Sequence, residues 1–212
     1  EGAIAINADI NVETNLKTGL IKIDITDINS IENAVNEITN HYGRIDGLVN
    51  NAYPRTKDWG TKFEDVLPES WAKNVDMQMN SYVYFSQKVL KQMDLQRNGS
   101  IVNIASIYGV VGNDFSIYEG TAFGTAPEYA AIKGGIINFS RYLASYYGRR
   151  GIRINVVSPG GIFDHQDPKF VENYNKKCPI GRMGNPDDIA PSVAFLLSEK
   201  AKYITGQNLI VD

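Results

Sequence analysis

Ile101-Val-Asn-Ile104 and Ile152-Arg-Ile-Asn-Val-Val157 are short runs rich in β-branched residues, and their apolar positions do not keep to strict alternation. Such runs are typical of strands that are covered on both faces, as in a parallel sheet. Between them, Tyr129–Tyr147 places Ile132 and Ile136 on one stripe, which is the pattern of an amphipathic helix. A strand, a helix and a second strand in this order predict a parallel β-α-β unit.

The same alternation of strand and helix extends along the chain in both directions. Further strands are predicted at Ala3–Ala8, Leu20–Ile23, Gly47–Val49 and Leu209–Val211. Further helices are predicted at Asn29–Tyr42 and Pro68–Met93, and Gly148 and Gly151 end the helix that begins near Tyr129. The pattern predicts one α/β domain over residues 1–212, with a doubly wound parallel sheet.

Composition bounds the kind of protein. The 212 residues are 43% hydrophobic and 21% charged, with a net charge of −3, so the chain can bury a core. The absence of a run of five like charges argues against a nucleic-acid or anionic-membrane surface, and no stretch approaches 18 consecutive apolar residues. With Cys178 as its single cysteine and only two histidines, His41 and His165, we expect a soluble cytoplasmic protein without a metal site.

The strand order predicts a further unit upstream. In a doubly wound sheet the first strand lies at the centre, between the second and the fourth. If Ala3–Ala8 is the second strand, a βα unit of about 25 residues is expected before it, and a slight loss is expected after Val211–Asp212. The crossover Ile10–Gly19 has only ten residues, near the lower limit, so a gap there stays open.

Three tyrosine–lysine pairs have the spacing Tyr-x-x-x-Lys, and two of them are poor candidates for chemistry. In the first, Tyr53 and Lys57, the intervening Pro54 disfavours a shared helical face. In the second, Tyr84 and Lys88, the crowded aromatic surroundings favour packing and a solvated surface.

The third pair, in Tyr129-Ala-Ala-Ile-Lys133, stands at a predicted helix start, because Pro127 suits a first helical turn. The spacing sets phenol and ammonium side by side, and the cation is expected to lower the pKa of the tyrosine towards the range of a general acid or base. Ser106 closes a predicted strand at the edge where such sheets bind ligands. The alternative is a core aromatic residue and an ordinary turn serine.

Seven segments, in order, resemble the short-chain dehydrogenase/reductase family, and they extend over nearly the whole chain. They are Asp24-Ile25, Gly43-Arg-Ile-Asp-Gly-Leu-Val-Asn-Asn-Ala52, Gly99-Ser-Ile-Val-Asn-Ile-Ala-Ser106, Tyr129–Lys133, Asn155-Val-Val-Ser-Pro-Gly160, Gly181-Arg-Met-Gly-Asn-Pro186 and Thr205–Asp212. The resemblance implies a Rossmann-type fold. It also implies that Tyr129 is the acid/base, that Lys133 tunes it and holds the nicotinamide ribose, and that Ser106 orients the substrate oxygen.

The resemblance also implies a nicotinamide cofactor. Asp9 closes a strand, where a carboxylate would accept the adenosine ribose hydroxyls and repel a 2′-phosphate, which favours NAD over NADP; the alternative is a turn or cap residue. The implied cofactor contacts are Asp9, Asp24, Ile25, Asn51, Ala52, Tyr53, Tyr129, Lys133, Pro159, Gly160 and Ile162.

Three positions depart from the family pattern. Tyr53 stands where the family has a glycine after Asn-Asn-Ala, and Asp164 stands where it has a threonine. The proton-relay asparagine of the family falls on Gln78, while Asn80 matches only with a two-residue slip. We therefore expect Gln78 to take part in catalysis in that place.

An extra polar and aromatic segment, Asn113-Asp-Phe-Ser-Ile-Tyr-Glu-Gly-Thr121, is expected to form a loop over the mouth of the site. With the following Glu-Tyr-Ala-Ala-Ile-Lys it resembles short-chain oxidoreductases of bacterial flagellin-glycan and nonulosonic-sugar pathways. Aromatic faces with carboxylates and hydroxyls suit a sugar; the alternative is an ornamental loop or subunit contact. Within Asp164–Asn175, expected to be mobile, His165 is interpreted as a surface residue, and Cys178 as inert packing.

The sequence thus predicts an NAD-dependent oxidoreductase that interconverts a secondary alcohol and a ketone, on a sugar, sugar phosphate or nucleotide sugar. The alternatives are a non-catalytic NAD-binding scaffold and a ketoreductase of alcohols or acyl-carrier substrates. The resemblance further implies a homotetramer or dimer joined through the helices at Ser70–Met93 and Glu128–Tyr147.

Overall fold

The computed structural model describes residues 2–122 and 124–212. Its strands are β1 (Asn7–Asp9), β2 (Leu20–Lys22), β3 (Gly47–Asn50), β4 (Gly99–Ile104), β5 (Ile152–Pro159) and β6 (Asn208–Val211). Its α-helices are α1 (Ile28–Tyr42), α2 (Pro68–Val75), α3 (Ser81–Gln96), α4 (Pro127–Tyr147), α5 (Pro168–Lys177) and α6 (Pro186–Leu197). All strand pairings are parallel, in the orders β1-β2 and β3-β4-β5-β6. The predicted α/β fold with a parallel sheet is confirmed.

The central strands β4 and β5 are covered on both faces. On one face Ile101 and Ile154 are fully buried in a cluster that includes residues of α1 and α3. On the other, Val102 and Val157 pack with Leu196 of α6. This double burial explains why the two runs are apolar at successive positions.

The predicted helix over Pro68–Met93 is interrupted by a π-helical turn at Asp76–Asn80, between α2 and α3. Turns of this kind insert an extra residue and occur frequently at functional sites. The apolar periodicity runs through the insertion, which is why the sequence predicts one uninterrupted helix.

Most of the stretch Asp164–Asn175, which is expected to be mobile, is helical, because α5 begins at Pro168. Asp167 caps this helix, its carboxylate accepting a hydrogen bond of 2.7 Å from the backbone N–H of Lys169. Phe170 and Tyr174 are buried on its inner face.

The predicted strand Ala3–Ala8 is also misplaced, since β1 covers only Asn7–Asp9. It pairs with β2, which offers just three residues, so the chain before Asn7 has no ladder to join. The ten-residue crossover contains a 3₁₀ turn at Leu16–Thr18 rather than an α-helix.

No strand among residues 2–122 and 124–212 pairs with the second edge of β1 or of β3, and Val49 of β3 is 39% exposed. The upstream βα unit stays a prediction. No helix in the same residues is both long and apolar enough to cross a bilayer.

Candidate active site

Ser106 lies directly beyond the carboxyl end of β4. Ser106 is 6% exposed, and its hydroxyl oxygen accepts a hydrogen bond of 3.2 Å from the backbone N–H of Tyr108. This cap starts a 3₁₀ turn at Ile107–Gly109 that packs on α4. Ser106 is therefore fixed between the sheet and the helix that carries Tyr129.

Tyr129 lies in the first turn of α4, where Pro127 sets the helical start. Burial raises the pKa of Tyr129 above its ordinary value of 10.0, and a side-chain hydrogen bond with Ser106 opposes this only in part. The expected lowering of the tyrosine pKa is wrong for this structure. The joint action of the two hydroxyls on a substrate oxygen stays a prediction.

The surroundings of Lys133 explain why the pKa of Tyr129 is not lowered. Its ammonium donates a hydrogen bond of 3.0 Å to the carbonyl oxygen of Ile104 and lies 5.5 Å from the centroid of the Tyr129 ring. The residue is 4% exposed, and burial lowers the pKa of Lys133 to about 8. Desolvation thus dominates both groups, and it opposes charge on each of them.

Two aromatic rings contact the ring of Tyr129. The ring of Tyr53 lies 5.6 Å from that of Tyr129, and the ring of Trp59 lies 6.2 Å from it, both edge-on. Tyr53 and Trp59 also contact each other at 5.6 Å, and the guanidinium of Arg55 lies 5.3 Å above the Tyr53 ring. Burial raises the pKa of the Tyr53 phenol, which keeps it neutral.

Gln78 occupies the π-helical turn and is 1% exposed. Its side-chain amide donates a hydrogen bond of 2.9 Å to the carbonyl of Pro54, while its Oε1 has no hydrogen-bond partner in the part of the chain that the structure describes. Asn80 instead donates to the carboxylate of Asp76 at 2.9 Å. The buried position therefore belongs to Gln78, as the alignment without a slip predicts.

Two acidic residues stand at the carboxyl ends of the smaller sheet. Asp9 ends β1 and is exposed, with one carboxylate oxygen accepting 2.8 Å from the backbone N–H of Asn11. Asp24 follows β2, and its Oδ1 accepts from both the backbone and the hydroxyl of Thr26. Ile25 is half-buried against the core. Each carboxylate thus stabilises a local turn through one of its oxygens, which leaves its second oxygen for a ligand.

The remaining predicted cofactor contacts follow β3 and β5. Asn51 and Ala52 are exposed directly after β3. Pro159 ends β5, and Ile162 pairs with Gly184. At Gly160 an added Cβ would lie 2.0 Å from Asp212 Oδ1 and 2.9 Å from the Tyr174 hydroxyl, so a larger residue there would have to displace both side chains. Beyond it, Asp164 is exposed and its backbone N–H donates to the Gln166 side chain.

The extra segment 113–121 is anchored and does not form a free loop. It contains a 3₁₀ turn at Phe115–Tyr118, and its Ile117 is buried in a cluster with residues of α5. An ion pair of 3.2 Å joins Asp114 to Lys177, and Asn173 donates to the carbonyl of Glu119 at 3.0 Å.

An electrostatic interaction with Tyr118 of this segment adds to the rise in the pKa of Tyr129, after the larger effect of burial. His165 is exposed, with a positive φ of 55°, and Cys178 packs at the edge of the α5 cluster.

Sequence reasoning missed four residues: Trp59, Asn74, Tyr118 and Glu128. Asn74 precedes Gln78 by four positions, so a shared helical face could have indicated it. Glu128 stands beside Tyr129 and is buried, which the sequence could not show.

Comparison with known proteins places the chain in a family. A family model described as "Enoyl-(Acyl carrier protein) reductase" matches residues 7–212. The chain is 35% identical to the post-translational flagellin modification protein A of Campylobacter coli, over 99% of this chain and 87% of that protein. It is 33% identical to a 3-oxoacyl-(acyl-carrier-protein) reductase of Thermotoga maritima, over 100% of this chain and 87% of that protein.

A crystal structure of a short chain dehydrogenase from Leptospira borgpetersenii with bound NAD+ superimposes with a TM-score of 0.88 and 37% identity. The match covers 99% of this chain and 82% of that one. The chain belongs to the short-chain dehydrogenase/reductase family, and it is an oxidoreductase of that family.

Proposed function

We propose that the protein uses NAD to interconvert a secondary alcohol and a ketone, with Tyr129 as the acid/base. The observation that carries this proposal is the buried ammonium of Lys133, which lies 5.5 Å from the centroid of the Tyr129 ring and donates to the Ile104 carbonyl at the end of β4, on the side where Ser106 acts on the pKa of Tyr129. Two hydroxyls that meet at the carboxyl edge of a parallel sheet can together hold one substrate oxygen.

The residues present suit NAD. When bound, the nicotinamide supplies or accepts the hydride. Lys133 has three N–H donors, of which one is used on Ile104, so its buried ammonium retains donors for ribose hydroxyls. Asp9 keeps a carboxylate oxygen for the adenosine ribose, where its charge would repel a 2′-phosphate. Asp24, Ile25, Asn51, Ala52, Tyr53, Pro159, Gly160 and Ile162 complete the proposed contacts.

Tyr129 and Ser106 have different roles at the substrate oxygen. Because burial raises the pKa of Tyr129, the phenol is protonated near neutrality and can donate a proton to a carbonyl oxygen as the hydride reaches its carbon. In the oxidative direction it takes the proton back. The hydroxyl of Ser106 orients the same oxygen, and Gln78 Oε1, buried without a partner in the described residues, is the acceptor we assign to proton relay.

We favour a sugar, sugar phosphate or nucleotide sugar as substrate. The flagellin modification protein of Campylobacter coli is among the relatives, and the rings of Tyr53 and Trp59 with the polar segment 113–121 offer both flat and hydrogen-bonding surfaces. A ketoreductase acting on acyl-carrier substrates is the second candidate, since 3-oxoacyl-(acyl-carrier-protein) reductases are relatives at similar identity.

The test is NADH formation or consumption with a panel of UDP-linked hexoses, hexose phosphates and acetoacetyl thioesters. We expect turnover with a sugar derivative and a loss of at least 1,000-fold in Tyr129→Phe, with NAD binding retained. Tyr203→Phe, at a fully exposed tyrosine outside the proposed site and interface, is the matched control. Unchanged turnover in Tyr129→Phe would end the proposal, and turnover restricted to thioesters would select the second candidate.

We also propose a homodimer or homotetramer in the cytoplasm, joined through the α2–α3 and α4 helices. Tyr142 and Tyr146 of α4 are 63% and 54% exposed, and their rings stack 6.1 Å apart. Light scattering of the protein and of Tyr142→Glu tests this association, and a monomer in both cases would contradict it.

A further inference from the structure

Glu128 precedes Tyr129 in the first turn of α4 and is 3% exposed. One carboxyl oxygen, Oε1, accepts a hydrogen bond of 2.8 Å from Asn74 Nδ2. The other, Oε2, is buried and has no hydrogen-bond partner within the described chain. Burying a carboxyl group that makes only part of its hydrogen bonds costs free energy. A function that offsets this cost is therefore expected for Glu128.

Asn74 is fully buried near the end of α2 and uses both ends of its amide. Its Oδ1 accepts 3.0 Å from the backbone N–H of Thr56, and its Nδ2 donates 2.9 Å to the Thr56 hydroxyl as well as to Glu128. An amide nitrogen only donates, and the Glu128 oxygen accepts from it. Glu128 therefore stabilises the amide orientation in which Oδ1 faces the Thr56 backbone.

Hydrogen bonds from helical side chains hold the segment 52–56 at three positions. The hydroxyl of Tyr82 donates 3.2 Å to the carbonyl of Ala52, and Gln78 donates 2.9 Å to that of Pro54. The three helical residues that hold positions 52, 54 and 56 are spaced by four: Tyr82, Gln78 and Asn74. They share one helical face, and the Asn74 contact is reinforced by Glu128 from α4.

Thr56 lies midway between Tyr53 and Trp59, the two residues whose rings contact Tyr129. A hydrogen-bonded path therefore leads from Glu128 through Asn74 to the segment whose rings surround the adjacent phenol. The path closes a loop from α4 back to α4. Its first two side chains, Glu128 and Asn74, are buried, and Thr56 is half-buried.

We propose that Glu128 is a positioning residue for Tyr129. Through Asn74 and Thr56 it holds the rings of Tyr53 and Trp59 against the Tyr129 ring, and this packing keeps the phenol at the Ser106 hydroxyl. The inference rests on the proposed role of Tyr129 in turnover, but the geometry it describes can be measured without turnover.

The experiment compares Glu128→Ala with Glu128→Gln, whose carbonyl oxygen can still accept from Asn74. Of the two tryptophans, Trp71→Phe removes one, so that emission reports Trp59 alone. We expect Glu128→Ala to shift the Trp59 emission to longer wavelength and to lower kcat at least tenfold on the best substrate of the panel above. Glu128→Gln should restore both, and Glu69→Ala, an exposed glutamate of α2, should change neither.

Two outcomes would overturn the inference: emission and kcat unchanged in Glu128→Ala, or Glu128→Gln as impaired as Glu128→Ala. If Glu128→Ala does not fold, Thr56→Val serves in its place, because it removes the hydroxyl from the path and keeps the side-chain size. It should shift the Trp59 emission in the same direction, and an unchanged emission would refute the inference. Since emission does not depend on turnover, failure of the Tyr129 assignment is recognised separately.

Discussion

Lys133 shows at the scale of one residue how function and stability oppose each other. Burial lowers its pKa from 10.5 to about 8, which corresponds to about 3 kcal/mol against burying the charged form. The folded state therefore loses its proton at a lower pH than the unfolded state does. The penalty is complete below pH 8 and disappears as pH rises from 8 to 10.5.

Lys133→Met is expected to raise the free energy of unfolding at pH 7 by about 2 kcal/mol, because it removes the desolvation penalty and loses one hydrogen bond worth about 1 kcal/mol. Turnover should disappear. Urea unfolding at pH 7 and near pH 10 measures the effect, and the gain should shrink at the higher pH. Lys202→Met, at an exposed lysine, should show neither change; a Lys133→Met protein less stable than the parent at pH 7 would contradict the prediction.

The residues that the sequence predicts for the chemistry do come together, because spacing on a helix and position at a strand end are local properties. The ammonium of Lys133 lies 5.5 Å from the centroid of the Tyr129 ring, and the side chain of Ser106 acts on the pKa of Tyr129. The direction in which the pKa of Tyr129 shifts is not a local property of the sequence. It depends on burial by Tyr53 and Trp59, which stand some seventy positions earlier in the chain, and no spacing rule brings them to the site.

At the scale of elements, the turn Ile107–Gly109 and helix α4 hold Ser106 and Lys133 in register. A Cβ at Gly109 would lie 2.7 Å from the backbone carbonyl carbon of Lys133 and 2.8 Å from its oxygen. Backbone cannot yield as a side chain can, so the close approach of these two elements requires glycine.

Gly109→Ala is expected to destabilise the protein by about 1–3 kcal/mol and to lower kcat by more than tenfold, because it moves Ser106 relative to α4. Gly112→Ala provides the control, since no atom lies within 4 Å of a Cβ at that position. Urea midpoints and kcat of both variants make the comparison. Equal behaviour of the two variants would show that the contact between turn and helix does not position Ser106.

Some element boundaries follow from the local sequence, and others depend on residues that are distant in the chain. Strands β3, β4 and β5 lie where the apolar runs predict, and for β4 and β5 burial on both faces leaves a direct mark on composition. The π-helical turn at Asp76–Asn80 leaves no such mark. Helix α6 contains Pro191 in its interior, a residue that argues against a helix on propensity and is accommodated here within the fold.

At the scale of the whole molecule, two parallel sheets share one core. Ile21 and Ile23 from the region of β2 pack in the same cluster as Leu48 of β3 and Ile101 of β4. The carboxyl ends of β3, β4 and β5 carry Asn51, Ser106 and Gly160, and those of the smaller sheet carry Asp9 and Asp24. A dinucleotide that contacts both sets would bridge the two sheets, so its binding is expected to stabilise the fold as a unit.

Ligand binding to the folded state alone adds RT ln(1 + [L]/Kd) to stability, or about 2.7 kcal/mol at a hundredfold excess over Kd. For a chain of this size that is a rise in Tm of about 5–10 °C. We expect NAD to produce it in the full-length protein, and NADP at equal concentration to produce much less, because Asp9 would face the 2′-phosphate. Asp9→Asn should narrow the difference between the two cofactors, whereas Asp65→Asn, at an exposed aspartate outside the proposed contacts, should preserve it. Equal stabilisation of the parent protein by NAD and NADP would remove Asp9 from the cofactor site.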